Sequence, residues 1–308
     1  MQSLPPDMLE ALDGPIAAAL RWSGAIARQL RRFNIAIDGK TSGNASTDAL
    51  TLADLAVQEL LVAALRDCGT VFRQCRIEAE ESSGDLAAFS ATGALTIALD
   101  PIDGTQRFRD HTGDGYGVLL HLRDATDVLY SLAFFPEIGP AGTWVQAYAD
   151  TVRCGPDQPR RPAGAVLATL PKITPPARLH ASNVYVTGFQ QREEERARAV
   201  TQAGLHGVPL SDMPGSIFPL LATGDFAGML VHTPNVYDFP IALHLARRLG
   251  GDAVWVHDQT PVHFRDTWLD TRASMLRLPG IVDCATDHTT LHMLVNVARQ
   301  WNPQRYED

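Results

Sequence analysis

Residues Ala94 to Phe108 read ALTIALDPIDGTQRF. An apolar run of strand type ends in two aspartates, Asp100 and Asp103, with Pro101 between them and Gly104-Thr105 behind. Asp, Pro and Gly in this order are also a common turn recipe. The alternative is that a buried strand delivers two carboxylates to one point, where they must repel each other or share a cation. Mg²⁺ suits such a site, because it favours a few carboxylates together with phosphate oxygens and water.

Composition narrows what such a site can serve. The chain has 308 residues, 45% of them hydrophobic, enough for one large domain or two closely packed ones. A net charge of −9 argues against a nucleic-acid or anionic-membrane surface, which needs a basic footprint, so a small molecule is the expected partner. Cys68, Cys75, Cys154 and Cys284 form no C-x-x-C pair, and the N-terminal stretch has neither a basic nor an apolar leader pattern. The expectation is a reduced, cytoplasmic chain, with no apolar run near the roughly 20 residues of a membrane span.

The order of elements follows from periodicity. Met8, Leu12, Ile16, Leu20, Ile26 and Leu30 predict an amphipathic helix over residues 8–32, with Gly14-Pro15 as the expected start. A loop of small polar residues, GKTSGNAST, precedes a second helix with Thr51 as N-cap and Asp54 in its first turn. From residue 94 onward ALTIALD, GYGVLLHL, DVLYSLAFFP and GTWVQAYA read as strands of a meander. The Pro-, Gly- and Arg-rich stretch Cys154 to Ala165 is the candidate boundary between an N-terminal lobe, 1–155, and a C-terminal lobe, 156–308. Beyond it strands (ASNVYVTG, FAGMLVH, DAVWVH) alternate with helices (REEERARAVTQAG, FPIALHLARRLGG), predicting two α/β lobes that share one cleft.

Further acidic residues lie at element ends. Glu80 and Glu81 follow another strand-like stretch, and Asp238 precedes Pro240 at the start of a helix. Each has an ordinary role open to it: solvated charge for the glutamates, an N-cap for Asp238, a helix-dipole partner for Asp54. His288 and His292 lack a third ligand for zinc, and Ser82, Ser83 and Ser216 lack a G-x-S-x-G elbow. The run Arg192 to Gly204 reads as a solvated helix face.

Taken together, D-x-x-T-x-x-D (Asp48 to Asp54), E-E-S (Glu80 to Ser82), D-P-I-D-G-T (Asp100 to Thr105), G-S (Gly215, Ser216) and Y-D…G-G (Tyr237, Asp238, Gly250, Gly251) resemble the inositol monophosphatase-like family of Mg²⁺-dependent, lithium-sensitive phosphatases. The resemblance implies a layered αβαβα sandwich, a homodimer, and hydrolysis of a small polar alcohol or sugar phosphate by in-line attack of a metal-bound water. It implies two or three Mg²⁺ ions, held by Glu80, Asp100, the backbone carbonyl of Ile102, Asp103 and Asp238, with Glu81 behind them. Thr105 and Asp54 would orient the attacking water, and Gly104, Thr105, Gly215 and Ser216 would meet phosphate or substrate.

The pattern departs from the family where substrate is chosen. The acidic substrate contact that inositol and histidinol-phosphate members place seven positions before the residue matching Asp238 falls here on Val231, so an inositol ring loses a partner. Arg107 would add positive charge near the phosphate, whereas Arg109 reads as solvated surface. Histidinol-phosphate and 3′-phosphoadenosine nucleotide phosphatases remain alternatives, and a catalytically silent binding protein on the same fold is the alternative of a different class.

Overall fold

The computed structural model describes residues 4–33, 35–37, 49–174 and 182–306. Asp48 and the small-residue loop at 39–47 lie outside the described residues. Pro6, at the first helical position, opens an α-helix, Pro6–Ala11, which runs through a π-helical turn, Leu12–Ile16, into the α-helix Ala17–Arg31. The helix therefore does not start at Gly14-Pro15, and Pro15 lies inside the run. Proline lacks the N–H of a helical turn and crowds the carbonyls before it, and the wider π turn takes it up. The helix Leu52–Asp67 begins as expected, with Thr51 and Asp54 forming a reciprocal capping box.

Seven strands form the first sheet: β1 Arg76–Ala79, β2 Thr96–Asp103, β3 Gly117–Arg123, β4 Val128–Phe135, β5 Thr143–Tyr148, β6 Thr151–Pro156 and β7 Lys172–Ile173. They neighbour one another in chain order; β1 is parallel to β2 and the remaining pairs are antiparallel. The second sheet has the order β11-β14-β10-β8-β9, built from β8 Asn183–Thr187, β9 His206–Pro209, β10 Gly228–His232, β11 Asp252–Trp255 and β14 Ile281–Ala285. Its β8 is parallel to both β9 and β10, while β14 runs antiparallel to β10 and β11. A separate hairpin pairs β12 Trp268–Asp270 with β13 Met275–Arg277.

Alternation along the strands dictates the layers. Val118, Leu120 and Leu122 of β3 join the core beneath the two N-terminal helices, whereas Leu119 joins the core on the opposite face. There the helices Ile217–Thr223 and Phe239–Arg248 fill the space between the sheets. The helices Glu193–Gln202 and His288–Ala298 cover the far side of the second sheet, against Val184, Val186 and Leu230. The result is an αβαβα sandwich. Tyr185, Met229 and Val231, on the other face of β8 and β10, are left to line the space beside the central helices.

Gly250-Gly251 ends the helix Phe239–Arg248 for a packing reason. Gly250 has a left-handed φ of 103°, and a Cβ on Gly251 would stand 2.0 Å from the carbonyl oxygen of Ala285 on β14. Since both partners there are backbone, Gly251→Ala must push a strand aside, and a stability loss of about 1–3 kcal/mol is expected. An unchanged urea midpoint for that variant would contradict this reading.

Candidate active site

The two aspartates of β2 pose a geometric problem, because residues three apart on a regular strand point to opposite faces. The β2–β3 register shifts between Asp100 and Asp103, at Pro101, whose missing N–H falls in that irregularity. Both carboxylates consequently face one cavity of about 210 Å³. Asp238, at the N-terminus of the helix Phe239–Arg248, reaches the same point, its own N–H and that of Tyr237 donating to Asn235 Oδ1. Carboxylate oxygens of Asp100, Asp103 and Asp238 lie within 4.8 Å of one another. Among the described residues they are the one cluster of three or more metal-type side chains.

The electrostatics are those of a buried acidic cluster whose burial and mutual repulsion outweigh the pull of Arg107 and Arg277. Burial, then repulsion from Glu80, Asp103 and Asp238, pushes the Asp100 carboxyl well above its ordinary range. Burial and the charges of Asp238 and Glu80 do the same to Asp103, opposed by Arg107 and a hydrogen bond from Ser216. Asp238 is pushed up to about 6 by burial and by Glu80. A divalent cation relieves all of these at once, so the donor set fits a hard, oxygen-seeking metal. Glu80 lines the same cavity from the end of β1, as does Ile102. Gln58 holds the Glu80 turn in place: its amide accepts from Glu81 N–H and donates to the carbonyls of Glu81 and Ser83. Glu81 does not line the cavity and acts on it through charge, raising the pKa of Asp54.

Asp54 has a second role beyond its helix cap. One carboxylate oxygen accepts from Thr51 N–H at 2.7 Å and Thr51 O–H at 2.5 Å, and the other lies 3.0 Å from Thr105 Oγ1. Burial pushes Asp54 up to about 7, against the Thr51 hydrogen bonds. Thr105 has one hydroxyl proton and two acceptors, Asp54 and the Ile102 carbonyl at 2.8 Å. Gly104, in a left-handed conformation, is the N-cap of the helix Thr105–Asp110, whose end is held by the buried Arg31 through the carbonyls of Arg107, Phe108 and Gly113.

Arg107 does not project freely toward a phosphate. It donates to the Leu210 carbonyl at 2.6 Å and the Gly215 carbonyl at 3.4 Å, tying the helix Thr105–Asp110 to the loop that carries Gly215 and Ser216. That loop is also close at Gly115, where an added Cβ would meet Gly215 Cα at 2.7 Å. Arg109 pairs with Asp110, in keeping with a solvated role. His288 and His292 are exposed.

Three pocket residues had no motif to announce them. Glu193, expected on a solvated helix face, lines the cavity instead, accepts Gly188 N–H at 2.9 Å, and is pushed up to about 7 by burial. Its helix packs on the far side of β8, which turns its first residue toward the strand ends. The expectation holds for its neighbours Glu194 and Glu195, which do not line the cavity. Arg277 and Arg305 line the cavity as well, 5% and 8% exposed. Both grip Thr233, a non-glycine residue at φ 45°, through its carbonyl and hydroxyl respectively. No local pattern marks an arginine near the end of a chain as part of a cleft.

Fold and site together define a class: an αβαβα protein whose strand ends and helix starts gather carboxylates at one pocket. Residues 8–160 match the sequence model of the inositol monophosphatase family. Staphylococcal inositol monophosphatase-1, solved as an LiCl-soaked inhibitory complex, is similar over 99% of this chain and 100% of its own, with a TM-score of 0.68 and 14% identity. A dual-specific IMPase/NADP phosphatase bound with D-inositol-1-phosphate aligns over 94% and 95% with a TM-score of 0.64 and 15% identity. CysQ from Bacteroides thetaiotaomicron aligns over 90% and 97% with a TM-score of 0.61 and 16% identity. No curated protein sequence matches the chain. The chain is thus similar to the inositol monophosphatase family in sequence over residues 8–160 and in fold throughout, as the ordered motifs implied. Among the described residues no helix is long and apolar enough to cross a membrane.

Proposed function

We propose that the protein is a Mg²⁺-dependent phosphomonoesterase acting on a small phosphate ester. One observation carries this: Asp100, Asp103 and Asp238 converge to within 4.8 Å in the cavity that also holds Thr105, itself backed by Asp54. In this reading Glu80, Asp100, the Ile102 carbonyl, Asp103 and Asp238 would hold the ions. Mg²⁺ there supplies positive charge for phosphoryl oxygens and makes water more acidic. The chain's own contribution is orientation. With Asp54 ionised, Thr105 Oγ1 would donate to it and turn a lone pair toward the attacking water; as the water gives a proton to that oxygen, the hydroxyl's own proton would pass to Asp54, whose burial favours taking it up. Ser216, hydrogen-bonded to Asp103, and Gly215 line an adjoining recess that shares Asp103 and Gly104 with the cavity. No protein nucleophile is required, since phosphoryl transfer depends on positioning and charge neutralisation.

The cavity volume, below the ~300–1,000 Å³ of typical drug-sized pockets, favours a compact ester over a nucleotide. Val231 lines the wall, which supports a poor fit for an inositol ring. A silent binding protein is disfavoured by the complete carboxylate set. We take the two lobes to meet at this cleft and the protein to work as a cytoplasmic homodimer.

Phosphate release from a panel of esters tests the reading. Activity is expected to vanish on chelation with EDTA, return with Mg²⁺ and fall with Li⁺. Full turnover after thorough chelation would refute it, and myo-inositol 1-phosphate emerging as the best substrate would refute the part assigned to Val231.

A further inference from the structure

The pocket has an acidic pole and, in the same cavity, a cationic one made by Arg277 and Arg305. Buried guanidinium groups ordinarily have a carboxylate each, because an uncompensated buried charge is costly. Here two share Asp270: Arg277 Nε at 2.8 Å, Arg305 Nε at 3.7 Å, with the Tyr306 hydroxyl on the same carboxylate. Arg277 is spent on neighbours, since it also donates to the Thr233 carbonyl and lies against Met275 Sδ. Arg305 is held through one terminal nitrogen by the carbonyls of His232 and Gly188 and the Thr233 hydroxyl and also bonds Tyr306, while its Nε, 3.7 Å from Asp270, is buried with no hydrogen-bond partner among the described residues. Glu193 points its oxygens at the N–H groups of Gly188, Phe189 and Leu210 and also feels the charge of Arg305. Among the described residues Arg305 thus shares its one close carboxylate with Arg277, and it lines a substrate-sized cavity.

Resting on the phosphatase reading above, we propose that Arg305, steadied by Arg277, forms an anion subsite, and that the substrate is a small phosphate ester carrying a second anionic group, a carboxylate or another phosphate. The ester phosphate lies at the carboxylate pole and the second anion meets the guanidinium, whose planar N–H fork matches either group. Val231 and Met229 line the cavity as well, in keeping with a carbon skeleton lying against apolar wall. The acid absent at position 231 and the arginine present at 305 change specificity in the same direction, from hydroxyls toward negative charge.

The test uses matched esters and the full-length protein. 3-Phosphoglycerate and glycerol 3-phosphate differ in a carboxylate against a hydroxymethyl group; fructose 1,6-bisphosphate and fructose 6-phosphate differ in a second phosphate. Wild-type kcat/KM is expected to favour the more anionic member of at least one pair by about tenfold or more, and the pair that shows it identifies the anion. Arg305→Met, which leaves Asp270 with Arg277 and Tyr306, should erase the preference by lowering kcat/KM on the anionic ester alone, and Arg305→Lys should restore part of it. Independently, 3-phosphoglycerate or the bisphosphate should raise the unfolding temperature of the wild type more than its match with a single anionic group does, and the difference should vanish in Arg305→Met. Equal kcat/KM within both pairs, or an equal loss on both members in Arg305→Met, overturns the subsite while leaving the phosphatase reading standing. No phosphate release from any ester overturns both.

Discussion

Asp103→Asn is expected to abolish phosphate release and, at the same time, to stabilise the metal-free protein. Asparagine keeps the shape of the side chain and removes its charge. The loss in kcat/KM should exceed the roughly 10–100-fold seen when only an outer partner of a metal ligand is changed. The gain in stability follows from the repulsion that pushes Asp100, Asp103 and Asp238 above their ordinary range: without a cation, deleting one charge relieves the other two. The unfolding temperature in EDTA should therefore rise relative to wild type, while the increment produced by adding Mg²⁺ should shrink. A variant that is inactive but no more stable in EDTA would mean that the cluster is not under electrostatic strain. A variant that remains active would remove Asp103 from the proposed site.

Thr105→Ala is expected to act on turnover instead. The hydroxyl links the cavity to Asp54 at 3.0 Å and holds none of the carboxylates that make up the acidic cluster. Its removal should lower kcat by about 10²–10⁴, the usual worth of a positioned proton-transfer group, with KM and the Mg²⁺ concentration for half-activation close to wild type. Thr105→Ser, which keeps the hydroxyl, should retain most of the rate. Asp54→Asn should lose a similar factor, and the double variant should be little worse than either single one, because the two residues act as a unit. A large rise in the Mg²⁺ requirement of Thr105→Ala would show that the division of roles is wrong.

The difference between these two variants reflects how the site was legible. Thr51, Asp54 and the stretch Asp100 to Thr105 are short-range features. Capping needs a side chain and an N–H within one turn, and a strand ending in Asp-Pro-x-Asp-Gly needs only its own turn. Even so, the orientation of both β2 aspartates toward one face required the register shift against β3, which alternation alone would not supply. The start of the first helix was misjudged because Pro15 was read as a boundary, whereas a π turn absorbs it within a helix that Pro6 begins.

Sequence by itself determined the strands β2 to β5, β8, β10 and β11, the helices Leu52–Asp67, Glu193–Gln202 and Phe239–Arg248, and the carboxylates at strand ends and helix starts. These depend on periodicity, caps and turns, forces that act within a few residues. Only the tertiary structure decided that Glu193, Arg277 and Arg305 share a cavity with Asp100. Those residues meet because β8 and β10 pair in parallel, the helix Glu193–Gln202 packs behind them, and the segment ending in Arg305 returns across His232 and Thr233. A charged residue on a polar stretch looks solvated until packing between distant segments removes its water, and nothing in its immediate neighbourhood records that event.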